Sequence, residues 1–246
     1  MIGEVGDLTI TAISEDALSP AERRRRKVRD AIINAAEAIF TEEGEAGLSM
    51  RRIAERIDYS PAALYKYFES KEALFREIRE SFFERLHDRM KAVTDNIKDG
   101  PMLCTPCMRA YVETGLEQPG HYKLAFSAFP DEKDPEEETY AFAAAGHLHQ
   151  MIQYSMDEGW FRRMDIELAA KSVWAASHGL TLLAVTIPNF PCGLPGLSLD
   201  PDASRDPEEA EVRMELGRLI AFHSEAVLRG LGTAKLLSRL DAGETF

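Results

Sequence analysis

Between Gly44 and Lys71 the chain alternates helix-ending and helix-starting signals so closely that only a tight cluster of short helices satisfies them. Before it, Ile32, Ile33, Ala36, Ile39 and Phe40 recur at the three-to-four spacing of one buried helical face, and Gly44 and Gly47 end that run. Ser49 is placed to cap a second, short helix with Ile53, Ala54 and Ile57 inside. Asp58-Tyr59 make the turn. Ser60 followed by Pro61 then starts a third helix, because the hydroxyl satisfies free amides and proline at the first position wastes no donor. Ala62 to Phe68 are read as two helical turns. Ser70 caps a long helix from Lys71 to about Lys98, with Leu74, Phe75, Ile78, Phe82, Leu86 and Met90 inward. Two short helices joined by a three-residue turn and clamped by longer ones make a helix-turn-helix.

Helical periodicity continues beyond Gly100, over about 101–118, 120–129, 136–158, 165–187 and 207–231, while alternating strand patterns and internal repeats are missing. The reading is all-α, in three parts: a mobile N-terminal extension (1–20), a helix-turn-helix domain (21–72), and a larger helical domain (73–246). A Pro/Gly-rich connection, 188–207, reads as an exposed loop. The final helix carries Val212, Leu216, Leu219, His223, Val227 and Leu231 on one stripe.

A net charge of −13 argues against a nucleic-acid partner until it is divided along the chain. Residues 1–20 carry −4, residues 21–72 carry +1 and residues 73–246 carry −10. Only the helix-turn-helix segment escapes repulsion by phosphate, and Arg23, Arg24, Arg25, Arg26, Lys27 and Arg29 bunch at its start. That asymmetry fits a DNA-binding head on an acidic body. Three cysteines do not make a secreted disulfide framework, and the acidic, mixed first twenty residues are no signal peptide. The longest apolar-leaning run, Val173–Pro188, is broken by Ser177, His178 and two threonines and falls short of a membrane span. A cytoplasmic protein with no membrane partner is expected.

The third helix must offer small or polar side chains to a groove and keep an apolar inner face. Leu64 and Phe68 are the inner pair, and Ser60, Pro61, Ala63, Lys66 and Tyr67 face outward. Tyr65 and Tyr67 bring hydroxyls within reach of phosphate, and Lys66 and Lys71 bring charge. The stretch LSMRRIAERIDYSPAALYKYFESKEALFREI (Leu48–Ile78) resembles the N-terminal domain of the TetR family of bacterial regulators, most specifically in Leu64-Tyr65-x-Tyr67-Phe68-x-Ser70-Lys71-x-x-Leu74. The resemblance implies phosphate contacts at Ser49, Arg51, Tyr65 and Lys71, and positions near base edges at Ser60, Pro61, Ala63, Lys66 and Tyr67. Arg23–Arg26 match a variable N-terminal arm that follows the backbone or enters the minor groove. Asp58 stands where the family usually has Gly, and Tyr59 where it has a small aliphatic residue. Asp tolerates the left-handed backbone such a turn needs.

In the larger domain, RAYVETGLEQPGHYKLAFS (Arg109–Ser127) and VWAASHGLTLLAV (Val173–Val185) resemble the TetR subgroup with a Trp and a His-Gly signature, here Trp174, His178 and Gly179. The resemblance implies an apolar pocket for a small effector, a homodimer paired through the helices at 165–187 and 207–231, and a double-stranded operator as partner. Phe126, Phe129, Met151, Tyr154, Trp174 and His178 are the candidate pocket residues, with ordinary core packing the competing reading for each. Cys104-x-x-Cys107 lacks the second ligand pair a zinc site wants, and His147 and His149 point to different helix faces. A thiol redox role stays open because both cysteines lie near a helix start. No phosphate-binding glycine loop, hydrolase elbow or paired-His metal motif is present, so neither cofactor nor catalytic residues are expected. The function expected is a ligand-responsive repressor, with an activator, a redox sensor or a helical enzyme as alternatives.

Overall fold

A computed structural model describes residues 19–127, 139–192 and 209–246. Residues 1–18 of the expected extension, Phe129 and residues 193–207 of the expected loop lie outside the described residues. The chain divides into two compact units at Leu74/Phe75. Every element in the described residues is helical, with a lone antiparallel bridge between Phe161 and Gly232.

In the first unit, α1 (Pro20–Gly47) opens on a reciprocal cap: the Ser19 hydroxyl accepts from the Glu22 amide, and the Glu22 carboxylate accepts from the Ser19 amide. Gly44 takes a left-handed φ of 69° and kinks its end, so the helix yields where glycine is read as a stop. α2 (Met50–Arg56) is capped by Ser49, whose hydroxyl accepts from Arg52 N at 3.3 Å. α3 (Pro61–Leu64) is capped by Ser60, which accepts from Ala63 N at 3.2 Å. α1 packs on α2 and α2 on α3. Ile32, Ile39, Ile53, Ala54 and Leu64 are fully or almost fully buried there. Glu42 pairs with Arg56 and Glu43 with Arg52, tying the acidic end of α1 to α2.

The third helix is shorter than the two turns expected. Regular α-helix ends at Leu64, and the chain tightens through Lys66 N→Ala63 O (3.2 Å) and Tyr67 N→Leu64 O (2.8 Å) before Phe68 is buried. Three-residue bonds of this kind commonly close a helix, and hydrophobic period alone does not separate them from a second full turn.

α4 (Lys71–Thr94) starts on the Ser70 cap and crosses the boundary between the units. The second unit then contains α5 (Thr105–Glu117), α6 (Pro119–Ser127), α7 (Tyr140–Asp157), α8 (Ile166–Thr186), α9 (Glu209–Leu231) and α10 (Ala234–Asp241). α5 is central, packing on α6, α8 and α9, while α7 covers α8. A Cβ on Gly115 would stand 2.4 Å from Thr181 Cγ2, so the lack of a side chain there sets the close approach of α5 and α8. α8 has the length and mean hydropathy of a membrane span, but Asp165 caps it and Ala169, Ala170, Val173, Leu180 and Thr181 are buried within the bundle.

Two expectations are corrected here. The stripe on α9 buried within its own unit is Leu216, Ile220, Ser224 and Leu228; Leu219, His223 and Val227 are only half-buried beside it. The outward apolar residues are instead Met214 and Phe222, the latter 73% exposed. Apolar residues occupy two adjacent stripes of this helix, and periodicity cannot say which one meets the protomer's own core. The second correction is α10, which the sequence reading lacks.

His121, His147, His178 and His223 are all held below the ordinary value of 6.5, burial being the largest cause in each. They fold neutral and take up protons on unfolding. Their stabilisation is therefore complete above their ordinary pKa and is lost as pH falls through it toward the folded values. The melting temperature should drop between about pH 7.5 and about pH 5.5, and calorimetry showing a flat or rising melting temperature there would contradict this.

Candidate nucleic-acid interface and ligand cavity

In the first unit, the residues between Asp58 and Lys71 present a mostly polar outer surface. Asp58 adopts the left-handed φ of 57° that the turn requires without glycine. Tyr59 projects outward rather than into the core, 41% exposed. Ser60, Pro61 and Lys66 are exposed, Ala63, Tyr67 and Lys71 are half-buried, and Tyr65 is 52% exposed. Leu64 and Phe68 face inward as the spacing requires. Ser49 is exposed, and Arg51 is exposed with its Nε on Glu55 at 2.8 Å. The surface thus groups the hydroxyls, the start of α3 and a lysine, the chemistry that sits well against phosphate and base edges.

Arg23–Arg26 do not form a separate arm. They lie exposed on the first turns of α1, fixed by the Ser19–Glu22 cap. Arg25 stands over the Tyr67 ring at 5.8 Å, so the basic start of α1 and the end of the α3 segment belong to one surface. Arg29, counted in the sequence only as part of a basic run, has a supporting role. Its Nη1 donates to Tyr67 O at 2.9 Å and its guanidinium covers the Phe68 ring at 4.5 Å. No sequence signal distinguishes it from its neighbours, because the contact spans 38 residues.

In the second unit, a cavity of about 410 Å³ lies among α4, α5, α7 and α8. Phe83, Leu86, Met90, Leu103, Met108 and Val173 supply much of its apolar wall. Ala141, Ala144, Ala145 and Ala170 border it with small side chains, which is how the space arises in an otherwise close-packed bundle. At one side Glu167 links His149 (3.0 Å) and Lys171 (3.3 Å), all three on the lining.

The candidate pocket residues divide. Trp174 lines the cavity and donates from Nε1 to Tyr111 Oη at 3.2 Å. His178 stands behind that wall: Tyr122 Oη lies 2.6 Å from its Nδ1 and donates to its carbonyl oxygen at 3.2 Å, and Tyr111 Oη lies 3.3 Å from the same nitrogen. Burial keeps the imidazole neutral and raises both phenols above their usual range, so the phenols remain proton donors. Phe126 packs edge-on against His178 at 4.4 Å and also sits off the lining. Met151 is fully buried in the core and Tyr154 is exposed, and neither borders the cavity. The error has a physical origin: large aromatic and Met residues fill space, and the alanines of α7 leave it. His178→Ala should cost about 1–3 kcal/mol by removing the imidazole partner of the buried Tyr122 and Tyr111 hydroxyls. A mutant melting like the parent would contradict the network. His147 meets Thr94 (3.1 Å) and His149 meets Glu167, so the two histidines do point apart.

Similarity to known proteins decides what this pair of sites belongs to. The profile described as "Bacterial regulatory proteins, tetR family" matches residues 32–78, and "Tetracyclin repressor-like, C-terminal domain" matches residues 105–208. Together they take in more than half of the chain. The chain belongs to the TetR family. Among curated relatives, the uncharacterized HTH-type transcriptional regulator YobS of Bacillus subtilis is 29% identical over 103 residues, covering 42% of this chain and 53% of YobS. The HTH-type transcriptional repressor KstR of Mycolicibacterium smegmatis is 38% identical over 78 residues, covering 31% of this chain and 37% of KstR. The matches thus span about half of YobS and little over a third of KstR. The solved TetR-family regulator PfmR of Thermus thermophilus is 20% identical with a TM-score of 0.60, over 84% of this chain and 98% of that one, and shows the fold. The all-α architecture with an N-terminal helix-turn-helix is thereby that of TetR proteins.

Proposed function

We propose that the chain is a cytoplasmic, ligand-responsive transcriptional repressor that binds a pseudo-palindromic operator as a homodimer. The observation that carries this is the outward surface of the α3 segment, where Ser60, Pro61, Tyr65 and Lys66 stand clear of a core closed by Leu64 and Phe68. Ser49, Arg51, Tyr65 and Lys71 hold phosphates and fix register, while Ser60, Pro61, Ala63, Lys66 and Tyr67 read base edges. Arg23–Arg26 extend the contact along the backbone from the start of α1.

Dimerisation is assigned to α8 and α9. Leu182 and Leu183 on α8 and Met214 and Phe222 on α9 are exposed apolar residues with no use in an isolated protomer. A dimer of this kind sets two recognition segments about 34–36 Å apart, one turn of DNA. The small effector is apolar and occupies the 410 Å³ cavity, bordered by Trp174 of the Trp/His-Gly signature. It shifts DNA affinity only by its preference for one of two conformers. Repression is favoured because KstR, among the relatives, is named a repressor.

The test uses footprinting on DNA upstream of the chain's own gene. Two protected half-sites one turn apart are expected, with release by an apolar compound found in a thermal-shift screen. Ala145→Phe, which fills the cavity, should keep the footprint and lose the release. A footprint released equally in this variant would remove the cavity from the mechanism, and no footprint would remove the regulator.

A further inference from the structure

We propose that Cys104 and Cys107 form a reactive dithiol which closes to a disulfide when a lipophilic hydroperoxide enters the apolar cavity of the second unit. Both thiols are free, and their sulfurs stand 3.3 Å apart across the first turn of α5. A disulfide needs them to close to about 2.05 Å, a small movement within one helical turn. Solvent barely touches either residue, at 3% and 2% exposure. The cavity reaches the pair at Cys107, which lines it; Leu103, next to Cys104 in the chain, lines it as well, and Cys104 itself lies behind the wall, 3.3 Å from the Cys107 sulfur. The wall on this side is otherwise Met108, Phe83 and Met90, so polar oxidants are excluded and apolar ones are concentrated.

The two sulfurs are not equivalent. Cys104 occupies the N-cap of α5, and its thiol is held below the usual range by its hydrogen-bonding contact with Cys107, whose own thiol also reaches Met102 O at 3.4 Å. That same partnership, with burial, pushes the Cys107 thiol up. Cys104 is therefore the attacking thiolate and Cys107 the resolving thiol. Cys104 Sγ, ionised to the thiolate, attacks the distal, hydroxyl-bearing oxygen of ROOH; the O–O bond breaks, Cys104 becomes a sulfenic acid, and RO⁻ leaves as ROH by taking up the proton that the thiol released on ionising. Cys107 Sγ then attacks that sulfur, and hydroxide leaves with the Cys107 proton as water. Two thiols lose two electrons, and the hydroperoxide is reduced to alcohol and water. Cys192 is the internal control: it is more accessible, yet burial and the nearby Glu211 and Glu215 raise its thiol.

This chemistry stands independently of DNA binding. The experiment treats the full chain with one equivalent of cumene hydroperoxide and examines the tryptic peptide Asp99–Arg109 by mass spectrometry. Expected is a loss of two hydrogens, reversed by dithiothreitol, while Cys192 stays alkylatable. Hydrogen peroxide at the same concentration should react more slowly with the chain than cumene hydroperoxide does, after each rate is divided by that with glutathione. Cys107→Ser should leave a sulfenic acid on Cys104 that dimedone traps. Unmodified thiols in the peptide, oxidation of Cys192 first, or equal normalised rates for the two peroxides would each overturn the proposal. So would dimedone trapping on Cys107 in Cys104→Ser with none on Cys104 in Cys107→Ser.

Discussion

A chain carrying Leu183→Glu and Phe222→Glu is expected to be a folded monomer that no longer holds a two-half-site operator. Both side chains are exposed, Phe222 by 73%, so two carboxylates there leave the protomer's own packing untouched. In a dimer the same carboxylates would be buried in an apolar contact without partners, at a cost of several kcal/mol. Losing the second half-site removes roughly 10²–10⁴ in avidity. Light scattering reads the mass and anisotropy reads the affinity. Leu216→Glu would be a poor substitute, because Leu216 belongs to the cluster of Val112, Leu180, Phe190 and Ile220 and a carboxylate there should destabilise the protomer itself. A folded, dimeric double mutant would place the interface elsewhere.

Tyr65→Ala with Lys66→Ala is expected to weaken operator binding by roughly a hundredfold, from about 1–3 kcal/mol for each contact. Lys66, assigned to a base edge, should on removal relax the sequence preference; a slope of log affinity against log salt reduced by about one would place it on a phosphate instead. Neither side chain supports the core, so the melting temperature should stay that of the parent. Parent-like affinity at every salt concentration would remove the α3 segment from the interface.

The elements with strong start signals were legible in the sequence. Ser49, Ser60, Pro61 and Ser70 cap or open the helices they announce, because a hydroxyl that meets a free amide three residues on is a local event. The left-handed Asp58 was likewise foreseeable from its side chain. What failed depends on contacts distant in sequence. α10 has only eight residues, and Thr233 before it gives no side-chain cap, binding Gly159 O (2.7 Å) instead. Its reason to exist is tertiary: Leu236 is fully buried, and Lys235 lies 3.6 Å over the Trp160 ring. The cavity was illegible for the opposite reason, since a void is made by what Ala141, Ala144 and Ala145 lack. The helix that carries the arginines at 23–26 is legible too, since Ser19, Pro20 and Glu22 spell its start.

The most direct test of the central claim is competition. The parent chain is titrated against a labelled fragment from upstream of its own gene, at physiological salt, with an excess of unrelated DNA present. A sequence-reading dimer should bind at least about 10³-fold more tightly to the specific fragment than to the competitor, leaving a saturable complex that the excess does not dissolve. Equal affinity for the two DNAs, or a complex dissolved by the competitor in proportion to its excess, would contradict it.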